Sequence, residues 1–360
     1  MKVICTGISG SGKLDYLKQA VDEAGRLGEE IHLYNVGDLM FKKAEELECP
    51  TSPEKILDLA PSSLTALRAA VFEEILKEAE KVEHCIISTH GCFRWKNNLM
   101  PAFDVHYLNE LQPDLYITVI DSVLNVSKRL DRSPAWKGHL SLKDILTWRD
   151  EEIFVTKMMA SFQRKPFFVV AVGQPPTSIY NLMFRPEITK AYLSYPITLM
   201  IDDTEKMHEV REFRDRLREH FEVFDPLAVE DTELTCEAEG LQGTNNELLL
   251  SRLGENFCLT DDEQAKIEDQ TVIRDYMLID QSDIVVVYYP TDKTSPGVLC
   301  EIIYGSTNNK EVYAVFKERV SPFLKFHCTK VFADAEDFFD YLKESGKIPL
   351  KQGVSTPGNS

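Results

Sequence analysis

Gly7-Ile8-Ser9-Gly10-Ser11-Gly12-Lys13-Leu14 follows a short apolar run at 3–6 and precedes a helix-compatible stretch at 15–27. Glycines let the backbone turn tightly enough for successive N–H groups to wrap an anion, and a lysine just after them reaches the anion's outer oxygens. The spacing follows G-x-x-x-x-G-K-[ST] up to its last position, where Leu14 replaces the hydroxyl that holds Mg²⁺. Gly7, Gly10, Ser11, Gly12 and Lys13 are therefore candidate binders of ATP or another nucleotide, with Mg²⁺ binding weakened. Arg68, Arg129 and Arg132 are further basic residues that could meet a phosphate. For each of the three the alternative is a solvated helix face. His90 and Asp38 fall at strand ends, where open α/β sheets bind ligands.

A second set of chemically able residues lies between 274 and 305: Asp275, Asp283, Ser295, Gly297 and Glu301. A helix ending near Gln281-Ser282-Asp283, an apolar strand to Tyr289 and a loop through Ser295 would place Glu301 in the first turns of the next helix. A carboxylate there feels the positive end of the helix dipole and stays ionised, as a nucleophile attacking an anomeric carbon must. A retaining reaction at that carbon needs one carboxylate as nucleophile, and a base leaves more readily once a nearby acid protonates it. Taken singly, Asp283 reads as a turn cap and Gly297 as a turn glycine.

The elements that position these residues alternate along the chain. Strand-like runs at 3–6, 31–36, 85–89, 115–120 and 167–172 are separated by helical periodicity, the pattern of a parallel sheet covered by helices. A proline-rich polar stretch from Gln174 to Pro186 interrupts the series. Further runs follow at 191–194, 222–224, 284–289, 312–316 and 330–332. The expected fold is α/β with two doubly wound parallel-sheet domains at 1–176 and 190–346, a linker at 177–189 and a flexible tail at 347–360. The acidic stretch from Asp231 to Glu268 has no strand pattern and is expected to hold short helices and loops.

Composition narrows the partners. A formal net charge of −19 opposes a protein that grips nucleic-acid backbone, which needs clustered Lys and Arg, so polymeric nucleic acid is not expected. Small nucleotides and nucleosides remain, because a local nest of N–H groups holds a phosphate whatever the global charge. The eight cysteines are scattered without metal-ligand spacing, as in a reduced cytoplasmic protein, and no metal site is read. No apolar run approaches the roughly 20 residues of a membrane helix. The N-terminus does not fit a signal peptide, and a homo-oligomer is expected.

Over residues 1–172 the chain resembles the archaeal-type adenylate kinase group of P-loop nucleotide kinases. The resemblance rests on the loop, Asn35-Val36-Gly37-Asp38-Leu39-Met40, Ser88-Thr89-His90, Leu111-Gln112-Pro113-Asp114 and Arg129-Leu130-Asp131-Arg132. It implies a phosphate site worked by arginines and Mg²⁺, with Arg129 or Arg132 closing over the outer phosphates and Arg68 meeting a monophosphate acceptor, so Leu14 marks a lost metal ligand.

Over residues 190–320 the chain resembles the nucleoside 2-deoxyribosyltransferase family, including its 2'-deoxynucleoside 5'-monophosphate N-glycosidases, whose fold is flavodoxin-like. Ala191-Tyr192-Leu193-Ser194-Tyr195-Pro196, Asp275 and Ser295-Pro296-Gly297 leading to Glu301 carry it. The resemblance implies Glu301 as nucleophile, Tyr192 as the residue orienting it, Asp275 as assistant to base departure, and Ser295, Gly297 and Asp283 on the substrate side. Ser295, where nucleoside transferases carry Asp, implies a 5'-phosphate on the substrate, since a hydroxyl donates to phosphate and a carboxylate repels it. Tyr195-Pro196-Ile197-Thr198 departs from the phosphate loop of the hydrolases. The sequence thus points first to N-glycosidic hydrolysis or base exchange at Glu301 with an appended nucleotide-binding kinase-like domain. The alternatives are an adenylate-like kinase and a nucleotide sensor without turnover.

Overall fold

The computed structural model describes residues 1–48, 51–52, 55–96, 98–229, 231, 260–317 and 320–348. Most of the acidic stretch, 232–259, and the tail from 349 onward lie outside them. The chain divides into two compact units, the first of Met1–Glu187 with Pro226–Arg274, the second of Ile188–Asp225 with Asp275–Ser360.

The first unit opens with strand β1 (Lys2–Thr6), helix α1 (Lys13–Arg26), β2 (His32–Asn35), α2 (Val36–Glu46), α3 (Pro61–Ala79) and β3 (Cys85–Ser88). The hairpin β4 (Cys92–Trp95) and β5 (Asn98–Pro101) precedes α4 (Val105–Leu111), β6 (Leu115–Ile120), α5 (Val123–Arg132), α6 (Leu142–Gln163), β7 (Phe167–Ala171) and α7 (Thr177–Phe184). Its main sheet is parallel throughout, in the order β2-β3-β1-β6-β7. The central strands are buried along their length, β6 as Leu115–Ile120 without a break, as expected where helices cover both faces. Connections leave β1 and β3 in opposite directions, which opens a crevice at their carboxyl ends.

Two features were not legible as expected. Helix α7 occupies part of the stretch read as a linker. Pro226–Arg274, within the span read as the second domain, belongs to the first compact unit. There Asp231, 1% exposed, pairs with Arg149 at 2.6 Å and accepts the Val123 N–H at 2.8 Å, while Gln270 accepts from Arg149 at 2.7 Å. A buried carboxylate and guanidinium so satisfied hold distant chain segments in one core.

The second unit holds β8 (Lys190–Ser194), α8 (Ile197–Met200), α9 (Thr204–Arg218) and β9 (Glu222–Phe224). Helix α10 (Asp261–Asp280) contributes its last residues to this unit, followed by β10 (Ile284–Tyr289), α11 (Pro296–Thr307), β11 (Glu311–Phe316), α12 (Pro322–Phe326), β12 (Lys330–Phe332) and α13 (Ala335–Glu344). Its sheet is again parallel, in the order β12-β11-β10-β8-β9, and the connections diverge between β8 and β10. Both units are therefore doubly wound α/β sheets.

Candidate functional site

In the first unit the glycine loop fills the crevice between β1 and β3. Each glycine has a physical reason. A Cβ on Gly7 would stand 2.6 Å from Val119 O, and Gly10 and Gly12 take φ of +79° and +76°, conformations that side chains disfavour. Gly12 caps α1, so the loop's N–H groups and the positive end of a helix converge on one place. Ser11 is 1% exposed and its hydroxyl has no partner among the described residues, an orphaned donor inside the loop.

Lys13, 8% exposed, donates to Gly7 O at 3.4 Å and to Thr89 O, spanning the crevice. Burial lowers its pKa from the ordinary lysine value, opposed by Cys5 and Glu152. Burial, reinforced by Lys13, also holds the His90 imidazole well below the usual histidine range.

Loop, Lys13, Leu14, Arg68 and His90 line one cavity of about 430 Å³ whose far wall includes Trp136. Arg68 is 6% exposed and forms no ion pair among the described residues. Burial lowers its pKa, with Asp104 acting in the other direction. A guanidinium stays charged in proteins, so a buried one facing a cavity favours an anion there.

Arg129 is differently employed. Its Nη1 donates to Asp121 at 2.6 Å and to Gly10 O at 2.9 Å, which braces the loop from outside. Arg132 is exposed, outside the lining of the cavity and without an ion pair among the described residues. The Mg²⁺ ligand set is incomplete. Leu14 offers no oxygen, and among the described residues no group of three His, Cys, Asp or Glu side chains is arranged to hold a metal ion. The hydroxyl that the motif would offer a phosphate-bound Mg²⁺ is thus the missing ligand.

Glu152 was not singled out from the sequence. On α6 it shares the buried stripe of Ile145, Trp148, Arg149 and Thr156, and an acid at a position of that stripe was the available signal. Its carboxylate accepts the N–H groups of Gly7 at 2.9 Å, Gly91 at 2.8 Å and Cys92 at 2.9 Å.

In the second unit Tyr192 and Ser194, two residues apart on β8, share one face of the sheet. Tyr192 donates to Glu301 Oε1 at 2.9 Å and Ser194 to Glu301 Oε2 at 2.5 Å, both hydroxyls being on residues 0% exposed. Ser194 was missed by sequence reading, although the strand's period of two places it beside Tyr192. Glu301 stands in α11, whose N-cap position is Ser295, without a side-chain capping bond, and whose first turn holds Gly297. The loop before it is stapled by Tyr289, whose hydroxyl donates to Lys293 O at 2.7 Å and accepts the Ser295 N–H at 2.6 Å. A Cβ on Gly305 would meet Val285 Cγ2 at 2.8 Å, so α11 lies close on β10 one turn beyond Glu301.

Asp283 is not brought to this group. It precedes β10 at the opposite end of the sheet from Ser194 and accepts the Lys190 N–H at 2.8 Å. Asp275 is half-buried near the end of α10.

A family model described as an AAA domain matches residues 6–137. Adenylate kinase of Methanopyrus kandleri is 26% identical over 117 residues, 32% of this chain and 59% of that protein. Adenylate kinase of Thermococcus kodakarensis is 28% identical over 120 residues, 33% of this chain and 59% of that protein. The chain thus spans about three fifths of the length of these curated relatives. A solved structure of shikimate kinase from Bacteroides thetaiotaomicron is similar with a TM-score of 0.30 and 14% identity, over 48% of this chain and 86% of that one. The first unit is therefore a P-loop kinase-like domain of the nucleotide-binding class. Among the described residues no helix is long and apolar enough to cross a membrane.

Proposed function

We propose that the first unit binds ATP on the glycine loop and a phosphorylated acceptor against Arg68, as a nucleotide kinase of the adenylate kinase type with little help from Mg²⁺. One observation carries this reading: the loop with Lys13 and the buried Arg68, without an ion pair among the described residues, open onto the same cavity of about 430 Å³. Phosphoryl transfer asks a protein mainly to position two phosphates and neutralise the charge that develops between them. Lys13, the loop N–H groups and the Ser11 hydroxyl serve one phosphate group, Arg68 the other. The adenylate kinase relatives support adenine nucleotides as the first substrates to try. The free cysteines Cys5, Cys85, Cys92, Cys300 and Cys328 are in keeping with a cytoplasmic location, and a homo-oligomer remains part of the reading.

The deciding experiment titrates ATP and each nucleoside monophosphate into wild type and Arg68→Ala, then measures phosphoryl transfer with the same pairs. Arg68→Ala is expected to weaken monophosphate binding by roughly ten- to a hundred-fold, the worth of a charge-assisted hydrogen bond, and to leave ATP affinity near wild type. Absence of ATP and ADP binding by the wild type refutes the reading.

A second reading, N-glycosidic cleavage or base exchange at Glu301, is favoured by the paired hydroxyls of Tyr192 and Ser194 on its carboxylate. Two donors fix the orientation of the group, as a nucleophile toward an anomeric carbon requires. Asp275 and Ser295 are the proposed leaving-group acid and 5'-phosphate contact. Released base, followed by chromatography over a panel of nucleosides and their monophosphates, tests it, and a second free base in the mixture separates exchange from hydrolysis.

A further inference from the structure

We propose that Glu152 is the counter-ion that keeps Lys13 charged in its buried place, and is thereby a positioning residue for phosphate held at the glycine loop. The inference rests on the reading of Lys13 as a phosphate-binding residue and adds the group that makes such a lysine usable.

Glu152 is 0% exposed, and both of its oxygens face donors: Oε1 the N–H groups of Gly7 and Gly91, Oε2 that of Cys92. A protonated carboxyl would need an acceptor for its own O–H, and these contacts supply only donors. Burial holds the carboxyl above its ordinary value, against the opposing pull of Lys13 and the three N–H groups. The donor geometry favours the ionised form.

Among the described residues Lys13 donates only to carbonyl oxygens, those of Gly7 and Thr89. These are dipoles, and a buried ammonium held by dipoles alone gives up its proton readily. Asp15 lines the same cavity but is exposed to solvent, and the other buried titratable groups near Lys13 carry no negative charge. Cys5 on β1 is pushed up to about 12 by burial and stays a thiol, and His90 beyond β3 is held neutral, chiefly by burial and then by Lys13. Arg68 on the same cavity adds a positive charge. Glu152 on α6 is left as the buried anion of the group: it holds the Gly7 N–H while Lys13 holds the Gly7 carbonyl, and neutral His90 stands with Nδ1 3.9 Å from Oε1. Its hold on the Gly7 N–H also fixes the turn whose carbonyl Lys13 contacts, so one carboxylate sets both the charge and the place of the lysine.

The sign follows directly. Removing the anion lowers the pH at which Lys13 loses its proton, so phosphate binding fails earlier as pH rises. The test uses the full chain, wild type and Glu152→Gln, with ADP titrated calorimetrically from neutral to alkaline pH. In parallel the ¹³Cε resonance of Lys13, identified by its loss in Lys13→Met, is followed over the same range. The variant's ADP affinity relative to wild type is expected to fall about tenfold further at the alkaline end than at neutral pH, with the Lys13 resonance titrating at lower pH. A uniform weakening at every pH with an unmoved Lys13 midpoint makes Glu152 a structural brace and overturns the proposal. If the wild type binds no ADP, the phosphate reading fails, while the Lys13 resonance still decides the counter-ion role. Should Glu152→Gln not fold, Glu152→Asp withdraws the charge by one methylene and moves the midpoint the same way by less; an unmoved midpoint there also overturns the proposal.

Discussion

The guanidinium of Arg129 lies 2.6 Å from the Asp121 carboxylate, and the same nitrogen donates to the Gly10 carbonyl at 2.9 Å. The arginine read as a lid over the phosphates thus serves as a strut behind the loop. Arg129→Ala is expected to weaken ATP binding about tenfold, because the loop loses the contact that fixes one of its carbonyls. The pair is partly exposed, so the cost to stability is about 1 kcal/mol or less. Arg132→Ala, one turn on and exposed, should bind ATP as wild type does. Calorimetric titration of the two variants side by side checks both outcomes, and equal losses would contradict the strut.

Leu14 lines the cavity where a hydroxyl ligand of Mg²⁺ is expected. Wild-type affinity for ATP should therefore respond little to Mg²⁺. Leu14→Thr restores an oxygen at the start of α1, and the ratio of affinities with and without Mg²⁺ is expected to rise by about tenfold. An unchanged ratio in the variant would mean that the loop lacks more than the hydroxyl.

Glu301 receives one hydroxyl on each oxygen, from Tyr192 and Ser194. If this carboxylate is the nucleophile, Glu301→Gln removes base release while keeping shape and hydrogen-bonding capacity. Tyr192→Phe and Ser194→Ala each delete one orienting bond and should slow base release by roughly ten- to a hundred-fold, with the double variant slower than either. Steady-state release of base from the best nucleotide found in the substrate panel measures all four, and near-wild-type turnover by Glu301→Gln would remove this reading.

Gly305 lies one turn beyond Glu301, where any Cβ would press on Val285. Alanine favours a helix by about 0.5–1 kcal/mol, but overpacking against a β-branched core residue costs about 1–3 kcal/mol. Gly305→Ala is expected to destabilise the protein by about 1–2 kcal/mol in urea unfolding, and a stabilised variant would show that α11 can lift from the sheet freely.

The sequence by itself determined the strands. Runs such as 116–120 and 284–289 are continuous in β-branched and aromatic residues because a parallel strand is buried on both faces, and that composition over so short a length is visible in the sequence. It also determined the glycine loop and the strand, loop and helix that carry Glu301, since those features depend on neighbours along the chain. Tertiary structure decided the rest. Arg129 and Arg132 look alike on one helix, and only the position of Asp121 separates strut from surface. Glu152 follows two other acids, and only the approach of Gly7, Gly91 and Cys92 from distant segments brings it against the glycine loop. Asp283 and Ser295 flank the same strand, yet a strand has two ends, and the sheet's switch point sets which end faces the candidate chemistry. Contacts across a hundred residues of separation depend on which segments the fold brings together, and no local pattern records that choice.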